Sequence, residues 1–332
     1  MKQESLTHNK VKNDFRSYVA QTKSKIDSEL SKLTSILSDL KLHPEIEYAV
    51  LSRGKRLRPL LVILSAESVG GTRDQVMKLA LAFELMHTAT LVHDDIIDRD
   101  EMRRDKPTVH TKWSVNDAIL TGDALIALAI EQASSYGEAI LKTVAHGALE
   151  LCEGEQMDIE LSLKNPTEES YFKRIREKSA SLFKASTYCG ALAGGGSSSE
   201  IDSLSAFGEN FGIAYQLRDD LLDLTHKGTN VLKDLESGSV TLPVIHFYGN
   251  SSPEEKRQFE SKLQEVMKPN WSMSTELSES ILRMLVQSGS LSYCKKKIDE
   301  HIDRAVAAVS GLKKSEFKTF LIEMTNMLRT SD

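Results

Sequence analysis

The chain has 332 residues, 40% hydrophobic and 27% charged, the profile of an ordinary globular protein. A net charge of −6 and a sequence pI of about 5.9 exclude a general nucleic-acid surface. Aromatic residues make up only 6%, and abundant Leu, Ala, Glu and Lys favour helix over sheet.

No Pro/Gly-rich linker, composition shift or charge block divides the sequence, so one domain over 1–332 is expected, ample for a core and a cavity. The three cysteines, Cys152, Cys189 and Cys294, are far apart and form no metal-ligand pattern. Reduced thiols in a cytoplasmic protein are the simplest reading. The first residues are polar and charged, without the pattern of a secretory signal. The longest apolar stretches are broken by Glu84, His87, Asp123 or Glu131 well short of a membrane span, so no integral membrane segment is expected.

In chain order, apolar residues at helical spacing (Val19, Ile26, Leu30, Leu33, Ile36, Leu37) predict a long helix over about 10–40. Pro44 opens a short helix that ends at Gly54. Pro59 suits the first position of a third, which runs toward Gly70-Gly71. Asp74 resembles the N-cap of a long helix that reaches Asp98. A polar loop over 99–112 follows, then helices over about 115–133, 136–163, 167–193, 202–225, 253–267, 274–288 and 290–329. Asn165-Pro166-Thr167 and the run from Gly194 to Ser199 are breaks; the latter lacks a Walker lysine and a preceding strand, so it reads as a plain loop. No alternating strand pattern is present. The fold class expected is all-α, a single large helical bundle.

Two copies of one word stand out: Asp94-Asp95-Ile96-Ile97-Asp98 and Asp219-Asp220-Leu221-Leu222-Asp223. In a helix the first and fifth positions share a face, with Cβ atoms roughly 5–6 Å apart. Like charges at that spacing repel, and hard divalent cations such as Mg²⁺ take carboxylate oxygens together with substrate phosphates. The pair suggests a metal-bridged diphosphate. His87 lies seven residues before Asp94, close to two turns, on the same face. Arg103-Arg104 follow the first word, and guanidinium forks suit phosphate oxygens. Gly54-Lys55-Arg56-Leu57-Arg58-Pro59 puts three cations into four positions at a helix start, where backbone N–H groups favour anions.

These residues resemble the trans-isoprenyl (polyprenyl) diphosphate synthases. The resemblance runs from about Leu51 to Pro243 through the GKxxRP element, His87, the first DDxxD, the Arg pair, Lys178-Ser179, the Gly212-Ile213-Ala214-Tyr215-Gln216 lead-in, the second DDxxD, Lys233-Asp234 and Thr241-Leu242-Pro243. It implies an isoprenoid-synthase bundle with a central apolar cavity and an Mg²⁺-dependent prenyltransferase. Isopentenyl diphosphate would be held by Lys55, Arg58, His87 and Arg104. Asp94, Asp98 and Asp219 would bind Mg²⁺, supported by Asp95, Asp220 and Asp223. Arg103, Lys178 and Lys233 would contact the allylic diphosphate, and Ser179 and Gln216 would face the reacting carbons. A homodimer is implied, or a heterodimer with a small regulatory subunit. Three positions depart from the family pattern: Asp105 replaces a Gly, Ser239 a Lys and Tyr215 a Phe.

Competing classes have their own discriminators. A terpene cyclase shares the first word, but its second metal motif differs from Asp219-Asp220-Leu221-Leu222-Asp223. A di-iron carboxylate bundle needs two ExxH words, and Glu84-Leu85-Met86-His87 is the only one. A non-catalytic regulatory subunit would have lost aspartates that are all retained here. Product length is read from the helix before the first word. Ala89 and Thr90 are small and Met86 lies one turn further back, so growth past C20 to about C30–C40 is expected, with a shorter geranylgeranyl-type product as the alternative.

Overall fold

The computed structural model describes residues 2–160, 167–225, 240–266 and 275–329, and it is all-α. The helices are α1 Lys2–Ile36, α2 His43–Val50, α3 Leu57–Ser68, α4 Met77–Ile97, α5 Val109–Lys112, α6 Val115–Ser134, α7 Glu138–Glu160, α8 Glu168–Ile175, α9 Ser181–Ala193, α10 Ser198–Thr225, α11 Leu242–Asn250, α12 Pro253–Val266, α13 Thr275–Gln287, α14 Ser290–Ala308 and α15 Glu316–Asn326. Among the described residues the one sheet is a two-stranded antiparallel hairpin, β1 Met102–Arg103 and β2 Lys106–Pro107. No described helix is long and apolar enough to cross a membrane.

Two compact units are built from interleaved segments. The first comprises Met1–Ala148, Leu182–Gly208 and Ala308–Met324, and the second Leu149–Ser181, Glu209–Ala307 and Thr325–Asp332. Because each unit gathers distant stretches of chain, no sequence boundary exists where a linker pattern would stand.

In the first unit, α1 buries one stripe: Phe15, Thr22, Ile26, Leu30 and Thr34, spaced by seven and then by fours. Ile36, expected in that stripe, is 78% exposed. The aromatic end of α15 packs on α1 through Phe15–Phe320 (5.7 Å between centroids) and Tyr18–Phe320 (5.0 Å), and the Tyr18 hydroxyl donates to Glu67. Helix α4 is buried on most of its circumference and shares with α6 the most extensive interface between described helices. Gly122 of α6 faces the His93 ring, which a Cβ there would displace.

Several boundaries differ from the sequence reading for identifiable reasons. Helix α4 begins at Met77 and not at Asp74, because a distant residue satisfies its first turn. The Tyr136 hydroxyl accepts from Leu79 N–H (3.2 Å) and donates to the Gln75 carbonyl (3.0 Å). Helix α3 starts two residues before Pro59. The 290–329 region is two helices, since Ser315 Oγ accepts from Lys318 N–H (3.1 Å) and starts α15. Helix α11, with Pro243 in its first turn, escaped the sequence reading. The break before α8 is a capping box between Thr167 and Ser170, whereas Asn165 and Pro166 lie outside the described residues.

In the second unit, Phe247 stacks on Phe259 (4.6 Å) and His246 on Tyr293 (4.3 Å), while the Tyr293 hydroxyl donates to Glu168 (2.7 Å). His301 is buried beside Phe172, with Nδ1 2.9 Å from Asn210 Oδ1. Burial, reinforced by the Arg304 charge, pulls its imidazole pKa down to about 4. Between that value and the ordinary value near 6.5 the unfolded chain takes up a proton that the folded chain refuses, so stability falls as pH drops through this window. Replacing His301 with Gln removes this pH dependence. Thermal melts at stepped pH should show wild type losing of order 1–2 kcal/mol more than the variant between pH 6.5 and 4.5, and parallel curves would contradict the assignment.

Candidate active site

Each aspartate word occupies the C-terminal end of a helix. Asp94–Ile97 close α4, with Asp98 as the residue that caps it, and Asp219 to Asp223 lie in the last two turns of α10. Neither helix has a basic residue in its last turn. The helix dipole places partial negative charge at that end, so three carboxylates there create a strong demand for cations.

The words share a division of labour. Their middle aspartates are buried: Asp95 is 4% and Asp220 5% exposed. Arg103 Nε donates to Asp95 Oδ1 (2.5 Å). Asp220 Oδ1 accepts from Gln216 Nε2 (2.7 Å), and its Oδ2 accepts from the Tyr171 hydroxyl (2.6 Å). Burial raises both carboxyls above the usual carboxylate range, against the pull of Arg103 in one case and Arg174 in the other. The outer members Asp94, Asp98, Asp219 and Asp223 are half-buried or exposed. Among the described residues no three His, Cys, Asp or Glu side chains converge as a ready-made metal cage. Mg²⁺ needs only one or two carboxylates plus phosphate oxygens and waters, a donor set that these outer aspartates fit.

In the first unit the cations sort into two kinds. Lys55 is exposed and Arg58 half-buried, with the Arg58 guanidinium 4.4 Å above the ring of buried Phe183. Arg56, counted with them in the sequence, is instead buried and paired with carboxylates. Burial and then the charges of Arg58, Arg104, Arg103 and Arg56 hold the His87 imidazole well below its ordinary value, so it is neutral at neutral pH. The Arg104 guanidinium reaches the Arg53 carbonyl. Around it lies a cavity of about 60 Å³ lined by Arg53, Thr88, Asp95, Arg103 and Arg104. Arg104 and Asp105 both have positive φ, +53° and +63°, in the two-residue loop between paired Arg103 and Lys106. That is the pattern of a type I′ turn, where Gly is common and Asp is tolerated, which accounts for Asp105 at a position where the family favours Gly.

In the second unit, Lys178 and Ser179 sit in a five-residue π-helical turn, Arg176–Ala180, a local distortion frequent at functional sites. Gly154 of α7 lies against it, since a Cβ there would stand 2.2 Å from Lys178 N. Lys178 pairs with Asp158 and with Glu155 (2.8 Å), and these carboxylates hold its ammonium charged, well above the ordinary lysine range despite burial. Buried Arg174 donates to Asp158 and to the Val240 carbonyl (3.2 Å). The Ser179 hydroxyl donates to Gln216 Oε1 (2.6 Å), which completes a chain Ser179–Gln216–Asp220–Tyr171. Glu155, Asp158, Arg174 and Tyr171 were not singled out in the sequence; the i,i+3 acids after Gly154 were the available signal. Lys233, Asp234 and Ser239 lie outside the described residues. Of the residues assigned to product length, Met86 and Ala89 are buried, and half-buried Thr90 donates its hydroxyl to the His87 carbonyl (2.9 Å).

The fold is all-α, and two of its helices end in aspartate words. Known proteins agree. The profile of the family described as Polyprenyl synthetase matches residues 40–277. A geranylgeranyl diphosphate synthase of Methanosarcina mazei is 33% identical over 316 residues, covering 92% of this chain and 94% of that protein. An octaprenyl diphosphate synthase of Escherichia coli is 30% identical over 303 residues, covering 89% and 92%. The crystal structure of a geranylgeranyl pyrophosphate synthetase from Pyrococcus horikoshii matches with a TM-score of 0.87 at 32% identity, covering 96% of this chain and all of that one. The chain belongs to the polyprenyl synthetase family.

Proposed function

We propose that the chain is a cytoplasmic, Mg²⁺-dependent prenyltransferase that adds isopentenyl diphosphate to an allylic diphosphate and makes a trans-polyprenyl diphosphate. The observation that carries this reading is the shared arrangement of the two words: a buried, hydrogen-bonded middle aspartate, with outer aspartates at the negative end of a helix.

Lys55, Arg58, neutral His87 and Arg104 hold isopentenyl diphosphate. Neutral His87 donates a hydrogen bond to the diphosphate without adding a fixed charge. Asp94, Asp98 and Asp219 hold Mg²⁺, which when bound neutralises charge developing on the leaving diphosphate. Arg103, Lys178 and Lys233 bind the allylic diphosphate; Lys178 stays cationic at any working pH because Asp158 and Glu155 favour its charged form. Breaking the allylic carbon–oxygen bond leaves an allylic cation, the double bond of isopentenyl diphosphate attacks it, and a proton passes to the departing diphosphate. Ser179 and Gln216, fixed through Asp220 and Tyr171, orient the reacting carbons. The reaction requires that water be kept from the cation.

Purified protein should turn over both substrates, lose activity to a chelator and regain it with Mg²⁺. Arg58→Ala should raise the KM for isopentenyl diphosphate more than that for the allylic substrate, and Lys178→Ala the reverse. Steady-state kinetics that show equal effects on both would mean that the pockets are wrongly assigned.

The product proposed is about C30–C40. The reading rests on the small side chains of Ala89 and Thr90 before the first word, and each isoprene unit spans roughly one helical turn of about 5 Å. Ala89→Phe should shorten the product by several units on reverse-phase chromatography; an unchanged profile would refute the tunnel reading.

A homodimer is proposed through α6, whose Val115, Ile119 and Ile130 form an exposed apolar stripe with exposed Leu120 to one side. Light scattering should report twice the chain mass of 37.0 kDa, and Leu120→Asp should shift it toward monomer. A monomeric wild type would end this proposal.

A further inference from the structure

The middle cation of the segment at 55–58 has no access to a ligand. Arg56 is 5% exposed, and its guanidinium is committed on every side. Its Nε donates to Asp27 Oδ1 of α1 (2.8 Å), one terminal nitrogen to Glu84 Oε1 of α4 (2.6 Å), and the other to the Val50 and Ser52 carbonyls at the end of α2 (3.0 Å each). Its backbone lies in the left-handed region, φ +55° and ψ +37°, at the residue that precedes α3. That conformation is disfavoured for a residue with a Cβ and persists only where the surroundings over-determine it.

We propose that Arg56 is a positioning residue for the isopentenyl diphosphate pocket, with Glu84 and Asp27 as its anchors. The inference rests on the assignment of Lys55, Arg58 and His87 to that substrate. Arg56 stands between the two cations, so the bend it holds decides where they point. Glu84 stands three residues before His87, nearly on the same face of α4. The 2.6 Å Arg56–Glu84 bond therefore ties the cation-bearing segment to the helix that carries the histidine. Glu84 Oε2 is buried without a hydrogen-bond partner among the described residues. Its carboxylate is retained for the one bond it makes to Arg56, in keeping with buried ion pairs that serve geometry more than stability.

Glu84→Gln gives a test whose sign separates positioning from plain electrostatics. Removing a negative charge near the proposed anion site should tighten diphosphate binding if charge alone mattered. If Arg56 and Glu84 set geometry, Glu84→Gln should weaken it, and Arg56→Lys, which keeps the charge but loses the fork, should weaken it as well. We expect the calorimetric Kd and the KM for isopentenyl diphosphate to rise about tenfold in both variants, with the allylic KM within about twofold of wild type. If Arg56→Lys does not fold, Glu84→Gln, which keeps the side-chain volume and an acceptor oxygen, carries the test alone. A Kd in Glu84→Gln that is unchanged or lower, or an equal rise in both KM values, overturns the proposal. The Arg58→Ala control locates the failure. If it abolishes binding while Glu84→Gln does not, only the positioning role is wrong. If wild type binds no isopentenyl diphosphate and forms no product, the functional reading fails and this inference with it.

Discussion

A guanidinium cannot leave water without its counter-charges, because the cost of stripping its hydration far exceeds what an unpaired charge regains inside a protein. Each unit is organised by one such group. Arg56 draws together α1, the end of α2 and α4, and Arg174 joins α7 to the backbone that leads into α11. Both are 5% exposed. Their partners must come to them, so the positions of Glu84, Asp27 and Asp158 follow from the burial of two arginines. Nearby, Lys55 is exposed and Arg58 half-buried, in contrast to Arg56.

The aspartate words obey the same rule with signs reversed. A carboxylate at the C-terminal end of a helix opposes the dipole, and three in one turn oppose one another as well. The fold takes one carboxylate of each three inside, where Arg103 or the pair Tyr171 and Gln216 satisfy it. This fixes the rotation of the helix end and leaves the outer two toward solvent. The buried aspartates thus fix the orientation of each word.

Much of this was legible in the sequence because it depends on local spacing. The i,i+4 spacing of aspartates, the Pro44 and Thr167 helix starts and the broad apolar surface of α4 are one-dimensional signals, and the helices follow them. What escaped depends on partners distant in the chain. Arg56 reads as one more cation until Asp27 and Glu84 appear beside it. Asp74 reads as a cap until Tyr136, some sixty residues on, takes that role. The hairpin at 102–107 is too short for an alternating pattern to register. Its turn is formed by Arg104 and Asp105, without the Asn or Gly that usually announces it. Helix α11 has its sequence signal in Pro243, within the motif Thr241-Leu242-Pro243.

The π-helical turn at Arg176–Ala180 carries one residue more than an α-helix would need to span the same turn. Taking one residue out would restore α-helical bonding from α8 into the following helix, leaving both flanks in register while the residues of the turn itself rotate to new faces. Ser179 would turn away from Gln216, and Lys178 from Asp158 and Glu155. A single inserted codon is therefore enough to have brought the lysine and the serine to their present side of the helix. The local sequence can tolerate point changes more readily than any change in its length, and among descendants of such an insertion the number of residues between Arg174 and Lys178 should vary less than their identities.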